Sequence, residues 1–278
     1  MANIILDMIT TSAILFLTSA GLLVVFGVMK IINFAHAAFI TVGGYATFVA
    51  HEVGLPPVLG PVFAFAVGGG LGAIAEWVIV RRLYTRPLDA ILATWGLGLV
   101  IGQLVVLSFG RGVQFVPPPV QGTVALLGTE YSLYRMLLIV LAVAVGIGFT
   151  ALLNGTRLGL STRAVIMNEQ LAQGLGINST RVRLITFAIG CGLAALAGSL
   201  LTPLTSVDPL MGLPYLIGAF MLVMVSGGSL PALAVACVVL GGLQAIISTY
   251  FGSVLGGLTI AVFAAIALRI RPEGFARA

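Results

Sequence analysis

The amino-acid sequence predicts an all-α integral membrane protein, a polytopic helical bundle of about eight or nine membrane segments in a single domain at 1–278. Hydrophobic residues make up 60% of the chain and charged residues only 8%, whereas about a quarter of the residues of a soluble domain are charged. Several apolar runs approach the length of about twenty residues that a helix needs to cross a membrane. These observations predict a chain that crosses the membrane many times.

Nine apolar runs, bounded by charged residues or prolines, predict the membrane segments in order. Residues 33–50 and 213–227 are predicted to be either full crossings or re-entrant helices, because each follows a polar interruption. Paired broken helices of this kind are typical of an inverted repeat around a transport site. The nine runs are residues 6–28, 33–50, 58–80, 88–109, 133–153, 184–203, 213–227, 230–249 and 252–268.

Arginine is distributed unevenly between the predicted loops. Residues 81–86 contain three arginines, residues 157–183 contain four, the stretch after residue 267 contains three, and only Arg111 and Arg135 lie elsewhere. Because cytoplasmic loops are enriched in Lys and Arg, we expect the first three regions, including the C-terminus, in the cytoplasm. The loop at 110–132 is expected outside, as a small hairpin or lid. The predicted location is the inner (plasma) membrane.

The stretch INFAHAAFITVGGYATFV contains the candidate residues of a translocation path. On a helix, the spacing of Asn33 and His36 places them on one face with Gly43 and Thr47. Ionisable groups at membrane depth are costly and indicate functional sites, so these residues are expected to line a path or to cap a broken helix beside it. The alternative is that Asn33 hydrogen-bonds across a helix interface.

Three further residues are candidates for the same path: Thr94, Asp208 and Tyr215. Asp208 lies between two predicted segments beside prolines, where it contacts a delivering protein or forms an Asp-Pro turn. Glu76, near the cytoplasmic end of its segment, is expected to pair with Arg81 or Arg82.

Residues 157–183 predict a basic cytoplasmic segment that is too polar to cross the membrane. Residues 161–173 favour one helix, which Gly174 and Gly176 end, and Asn178 or Ser179 caps the next helix. Such a helix at the inner surface is suited to bind a cytoplasmic partner. The alternative is an amphipathic connector that rests on anionic lipid.

The residues argue against several other functions. A nucleotide-binding P-loop ends in Gly-Lys-Ser/Thr, but the only lysine, Lys30, lies between Met29 and Ile31. Cys191 and Cys237 lie in apolar runs, so we expect neither a disulfide nor a metal site. The sequence has no basic patch interleaved with aromatic residues, so we expect no binding of nucleic acid. The chain is therefore expected to be no enzyme and to bind no cofactor.

Three stretches together resemble the LivH-like permease subunits of branched-chain amino acid ABC importers, which include urea and short-chain amide relatives. They are GVMKIINFAHAAFITVGGY, STRAVIMNEQLAQGLGINSTRVRLITFAIGCGLAALAG and the terminal RPEGF. Ala37 and Ala38 depart from the family pattern, which commonly has glycine and often an acidic residue there. The resemblance implies that the ATPase-coupling loop includes Arg163, Glu169, Ala172, Gly174, Gly176 and Asn178.

The resemblance also implies partners. A second permease subunit, homologous or identical, would pair with this chain over two cytoplasmic ATPase subunits, which use the ATP. A periplasmic or extracellular binding protein would deliver the solute. The expected solutes are branched-chain amino acids, and urea or small amides are also compatible. The main alternative is a secondary transporter or channel without ATPase subunits. A membrane enzyme is a third alternative, but His36 and His51 have no convergent carboxylate.

Overall fold

The computed structural model describes residues 2–126, 129–271 and 274. Within these ranges, one short hairpin of β1 (Thr123–Leu126) and β2 (Thr129–Ser132) accompanies the helices. The helices are α1 (Ala2–Met29), α2 (His36–Glu52), α3 (Gly60–Val78), α4 (Pro87–Phe109), α5 (Leu133–Gly155), α6 (Arg157–Met167), α7 (Glu169–Gly174), α8 (Ser179–Thr205), α9 (Leu213–Ser226), α10 (Leu230–Phe251) and α11 (Ser253–Ile270).

Every predicted membrane segment contains a helix, and the polytopic all-α fold is confirmed. Among the described residues, seven helices are long and apolar enough to cross a membrane, namely α1, α3, α4, α5, α8, α10 and α11. The other two membrane segments are shorter, with 17 residues in α2 and 14 in α9. The predicted extracytoplasmic hairpin corresponds to β1 and β2, which pair antiparallel.

Helix α8 forms the centre of the bundle and packs against α1, α2 and α3. Its middle is rich in glycine and alanine, which lets neighbouring backbones approach closely where the hydrophobic effect gives helices no reason to associate. A Cβ built on Gly43 of α2 would lie 1.8 Å from the backbone oxygen of Ala195 in α8. This contact between α2 and α8 therefore depends on glycine.

The bundle has two ends, which we call the hairpin end and the basic end. At the hairpin end, Thr10 Oγ1 of α1 lies 2.7 Å from the hydroxyl of Tyr131 in β2. At the basic end, Arg183 at the start of α8 joins the 79–86 loop to α7, since its guanidinium lies over the Tyr84 ring and bonds Glu169. Met29, the last residue of α1, belongs to the same apolar cluster as Leu83 and Tyr84, so α1 runs from the hairpin end to the basic end.

The two short helices begin beside each other, inside the bundle. After Met29 the chain reverses, and α2 begins with His36 Nε2 2.7 Å from the backbone oxygen of Thr18, well back along α1. The N–H of Gly212, just before α9, donates to Thr41 Oγ1 of α2 at 3.2 Å. From this junction α2 runs to the hairpin end and α9 to the basic end.

Two predictions about helix boundaries are wrong. Residues 161–173 form two helices, because Asn168 leaves the helical conformation and caps α7, its Oδ1 accepting from Leu171 N–H at 3.0 Å. Helix α2 begins at His36, so Asn33 lies in the preceding turn and the two do not share a helix face. Pro272, Glu273 and Phe275 of the RPEGF stretch lie outside the described residues.

Candidate translocation path and coupling segment

The turn at residues 30–35, between α1 and α2, is held by polar side chains. Asn33 Oδ1 accepts a hydrogen bond from Ala35 N–H at 3.1 Å, and the His36 ring contacts the Thr18 oxygen. Both side chains are 1% exposed. They therefore face the interior of the bundle, where Asn33 satisfies an N–H group of the turn and His36 joins the start of α2 to the middle of α1.

Thr94 of α4 completes this arrangement. Its hydroxyl accepts from the N–H of Phe34 at 3.2 Å and donates to the backbone oxygen of Ile91 at 2.9 Å. Thr94 is buried, whereas Phe34 is exposed. The polar residues therefore fix the turn so that the Phe34 side chain lies at the surface of the bundle.

Two other predicted path residues lie at helix contacts. Gly43 packs on α8, and Thr47 Oγ1 lies 2.6 Å from Ser199 Oγ of α8. Tyr215 is half-buried and packs against apolar clusters that include Tyr45 and Phe39. The structure thus places these three residues in the packing of the bundle.

A cavity of about 890 Å³ lies between α2, α4, the loop after α4 and the loop before α9. Of the seven predicted path residues, only Asp208 is among those that line it. Its lining also includes Phe34, Thr41, Trp95, Gln103, Arg111 and Ile217. The cavity therefore adjoins the junction of the two short helices, and the turn at 30–35 contributes Phe34 to its wall.

Sequence reasoning did not select Gln103 or Thr41. Gln103 interrupts an otherwise apolar stretch of α4, one helical turn from Leu99, and a polar residue at that depth is a signal of function. The cavity itself unites residues from three separate parts of the chain, at 34–41, 95–113 and 208–217. Local pattern does not contain that information.

The coupling segment is built by two caps and one left-handed glycine. Asn168 caps α7, and Asn178 Oδ1 accepts from Arg181 N–H at 2.9 Å to cap α8, as predicted. Gly176 has φ +84°, a conformation that a residue with a Cβ adopts at a cost. The chain reverses here between α7 and α8.

The predicted coupling residues divide by exposure. Ala172 is buried in a small cluster with Val165 and Val182, which packs α6 and α7 onto the start of α8. Arg163 and Gly174 are exposed. Large apolar side chains are also exposed here, with Met167 at 86% and Leu175 at 73%.

Glu169 joins a chain of contacts that reaches α3. Arg183 Nη2 lies 2.5 Å from Glu169 Oε2, and the guanidinium lies 4.4 Å from the centre of the Tyr84 ring. The Tyr84 hydroxyl donates to the buried carboxylate of Glu76, whose other oxygen has no hydrogen-bond partner. Burial raises the pKa of Tyr84, so the hydroxyl keeps its proton.

The expected pairing of Glu76 with Arg81 or Arg82 is wrong, because the carboxylate binds Tyr84 instead. Neither arginine forms an ion pair with it among the described residues. Both arginines are exposed, since they lie at the end of the bundle where water solvates them.

A family model described as "Branched-chain amino acid transport system / permease component" matches residues 4–269. The chain belongs to this family. It is therefore the permease component of an ABC transport system, a multi-pass membrane subunit that binds no cofactor. Its partners are ATPase subunits, which hydrolyse ATP, and a binding protein.

Several curated proteins are similar to this permease. The branched-chain amino acid permease LivH of Escherichia coli K12 is 26% identical, over 93% of this chain and 89% of that protein. BraD of Pseudomonas aeruginosa is 27% identical, over 93% and 90%. The ribose import permease RbsC of Haemophilus influenzae is 29% identical, over 74% and 60%.

Proposed function

We propose that this permease imports branched-chain amino acids through a path that includes the cavity beside the junction of α2 and α9. The observation that carries the proposal is that junction, because broken helices that meet inside a bundle are the usual position of a transport site. The names of LivH and BraD support the solute class. The wall is mainly apolar, with Phe34 and Ile217, and suits aliphatic side chains.

A second permease subunit, homologous or identical, would cover the open side of this cavity. Gln103 on α4 is exposed in an apolar segment, and a polar group that faces lipid is costly. A facing subunit would remove Gln103 from lipid and convert the open cavity into a closed path. The assembly would then contain two permeases and two ATPases.

The basic end is proposed to face the cytoplasm and to bind an ATPase subunit. Ten of the twelve arginines lie in regions that the positive-inside rule assigns to it. Met167, Leu171 and Leu175 are exposed on α6, α7 and the turn that follows. Exposed apolar side chains outside the membrane segments are typical of protein contacts.

Asn33, His36 and Thr94 are proposed to act on transport through the turn. They hold residues 30–35 in the conformation that separates α1 from α2 and turns Phe34 toward the cavity. They are therefore positioning residues of the path.

Reconstituted vesicles test the proposal. The permease, its partner permease and its ATPases are placed in proteoliposomes with the binding protein. Uptake of radiolabelled leucine and uptake of radiolabelled ribose are measured in separate samples. We expect leucine to accumulate only when ATP is present on the side of the membrane that carries the ATPase subunits. Accumulation by vesicles without ATPase subunits would indicate a secondary carrier, and uptake of ribose alone would refute the solute class.

A further inference from the structure

We propose that Arg111 and Asp208 form a subsite for the zwitterionic end of an α-amino acid, at the mouth of the cavity. The inference rests on the proposed function and names how that solute is recognised. Among the residues that line the cavity, these two carry charge, and the charges are opposite. An α-amino acid carries the complementary pair, a carboxylate and an ammonium group.

A backbone contact joins the two loops that carry these side chains. Gln114 and Val207 form an antiparallel bridge in which each N–H donates to the other's oxygen at 2.8 Å. Arg111 lies three residues before Gln114, and Asp208 directly follows Val207. The bridge thus joins the loop after α4 to the loop before α9, and the charged side chains of both loops line the same cavity.

The two charges remain accessible to a solute. The ion pairs among the described residues do not include Arg111 or Asp208. Asp208 Oδ1 accepts from the N–H of Leu210 at 2.8 Å, which orients the carboxylate and leaves Oδ2 without a hydrogen bond from the described residues. Arg111 is exposed, and Asp208 is half-buried.

The rest of the wall fits the remainder of such a solute. Phe34, Leu99, Leu213 and Ile217 give apolar surface in the same cavity, which suits a branched aliphatic side chain. The planar guanidinium of Arg111 binds a carboxylate through two hydrogen bonds, and Asp208 binds the ammonium group. Urea, simple amides and sugars carry neither charge, so this subsite favours amino acids over them.

The test uses the complete complex in proteoliposomes with binding protein, ATP and radiolabelled leucine. Arg111→Gln and Asp208→Asn remove one charge each and keep the approximate size of the side chain. We expect the maximal leucine uptake rate at saturating loaded binding protein to fall on the order of tenfold in each variant, because a hydrogen bond to a charged group is lost. Arg111→Lys and Asp208→Glu should keep more of the rate.

A matched pair of controls lies at the same end of the bundle. Arg135 Nη1 and Asp7 Oδ1 are 2.9 Å apart and do not line the cavity. Arg135→Gln and Asp7→Asn should keep the uptake rate within about twofold, since an exposed ion pair contributes little. The basal ATPase rate of each complex reports its assembly.

Two results would overturn the subsite. One is parental uptake by assembled Arg111→Gln and Asp208→Asn complexes. The other is normal maximal uptake combined with a higher concentration of binding protein for half-maximal ATPase stimulation, which would assign both residues to docking of the binding protein. If the unmodified complex imports no leucine, the proposed function fails, and the subsite fails with it.

Discussion

Asn33 bonds a backbone group at the point where the chain leaves α1 and begins α2, and His36 contacts the backbone in the middle of α1. An unpaired backbone group in hydrocarbon costs several kcal/mol, so a break at this depth requires side chains that supply partners. Asn33 supplies such a partner to Ala35 N–H, and the Thr94 hydroxyl supplies one to Phe34 N–H. Neither Asn33 nor His36 lines the cavity, and neither side chain caps α2 directly; their contacts hold the turn before α2 in place.

His36→Leu should therefore destabilise the permease as well as slow transport. The variant loses the hydrogen bond between the ring and the Thr18 oxygen, which costs about 0.5–1.5 kcal/mol. We expect a lower thermal unfolding temperature in detergent and reduced leucine uptake. His51→Leu, exposed at the other end of α2, is the control. Equal unfolding temperatures for His36→Leu and the parent would contradict a stabilising contact between α2 and α1.

A second prediction concerns the buried carboxylate of Glu76. Tyr84→Phe removes the hydroxyl that donates to it and leaves the Arg183 contact with the ring in place. We expect a loss of stability of about 1–3 kcal/mol, because the buried acceptor loses its partner. Denaturation in detergent measures the loss. Tyr250→Phe, at an exposed tyrosine, should unfold like the parent; an equally stable Tyr84→Phe protein would disprove the assignment.

At the scale of elements, the segment proposed to couple to the ATPase is fixed by two asparagine caps and the turn at Gly176. A buried cluster of Ala172, Val165 and Val182 packs α6 and α7 onto the start of α8. The contact between Glu169 and Arg183 then ties the segment to α8. Movement of α7 would in this way reach the centre of the bundle.

Gly176→Val should uncouple ATP hydrolysis from uptake. Valine is strained at φ +84°, so the reversal between α7 and α8 would change while the membrane helices still insert. We expect ATP hydrolysis without proportionate leucine uptake in proteoliposomes. Gly174→Ala, where a Cβ meets no atom within 4 Å, should stay coupled. Coupled uptake by Gly176→Val would refute the proposed coupling role.

The elements differ in how far sequence predicts them. Nine membrane segments follow from apolar runs, because hydrocarbon demands continuous apolar surface from each one. The division at Asn168 does not follow so directly, since the residues around it are good helix formers and the asparagine alone marks a cap. The cavity is less predictable still, because Gln103, Arg111 and Asp208 meet only through tertiary packing.

For the whole molecule, the arginine distribution makes a prediction about sidedness. In a background without Cys191 and Cys237, single cysteines replace Gln170 on α7 and Gln121 in the loop at 110–122, both exposed. A membrane-impermeant thiol reagent should label Gln121→Cys from outside intact cells and Gln170→Cys only after the cytoplasm is opened. Labelling of Gln170→Cys in intact cells would contradict the orientation.

The junction of α2 and α9 also has an electrical consequence. Each helix N-terminus carries roughly half a positive charge, and Gly212, just before α9, packs against the backbone oxygen of Ala37 in the first turn of α2. Together they place about one positive charge beside the path, which opposes protons and small cations but not a solute of zero net charge. Import should then proceed without dissipating the membrane potential. A potential-sensitive dye in the proteoliposomes would measure this, and a collapse of the potential during leucine import would contradict it.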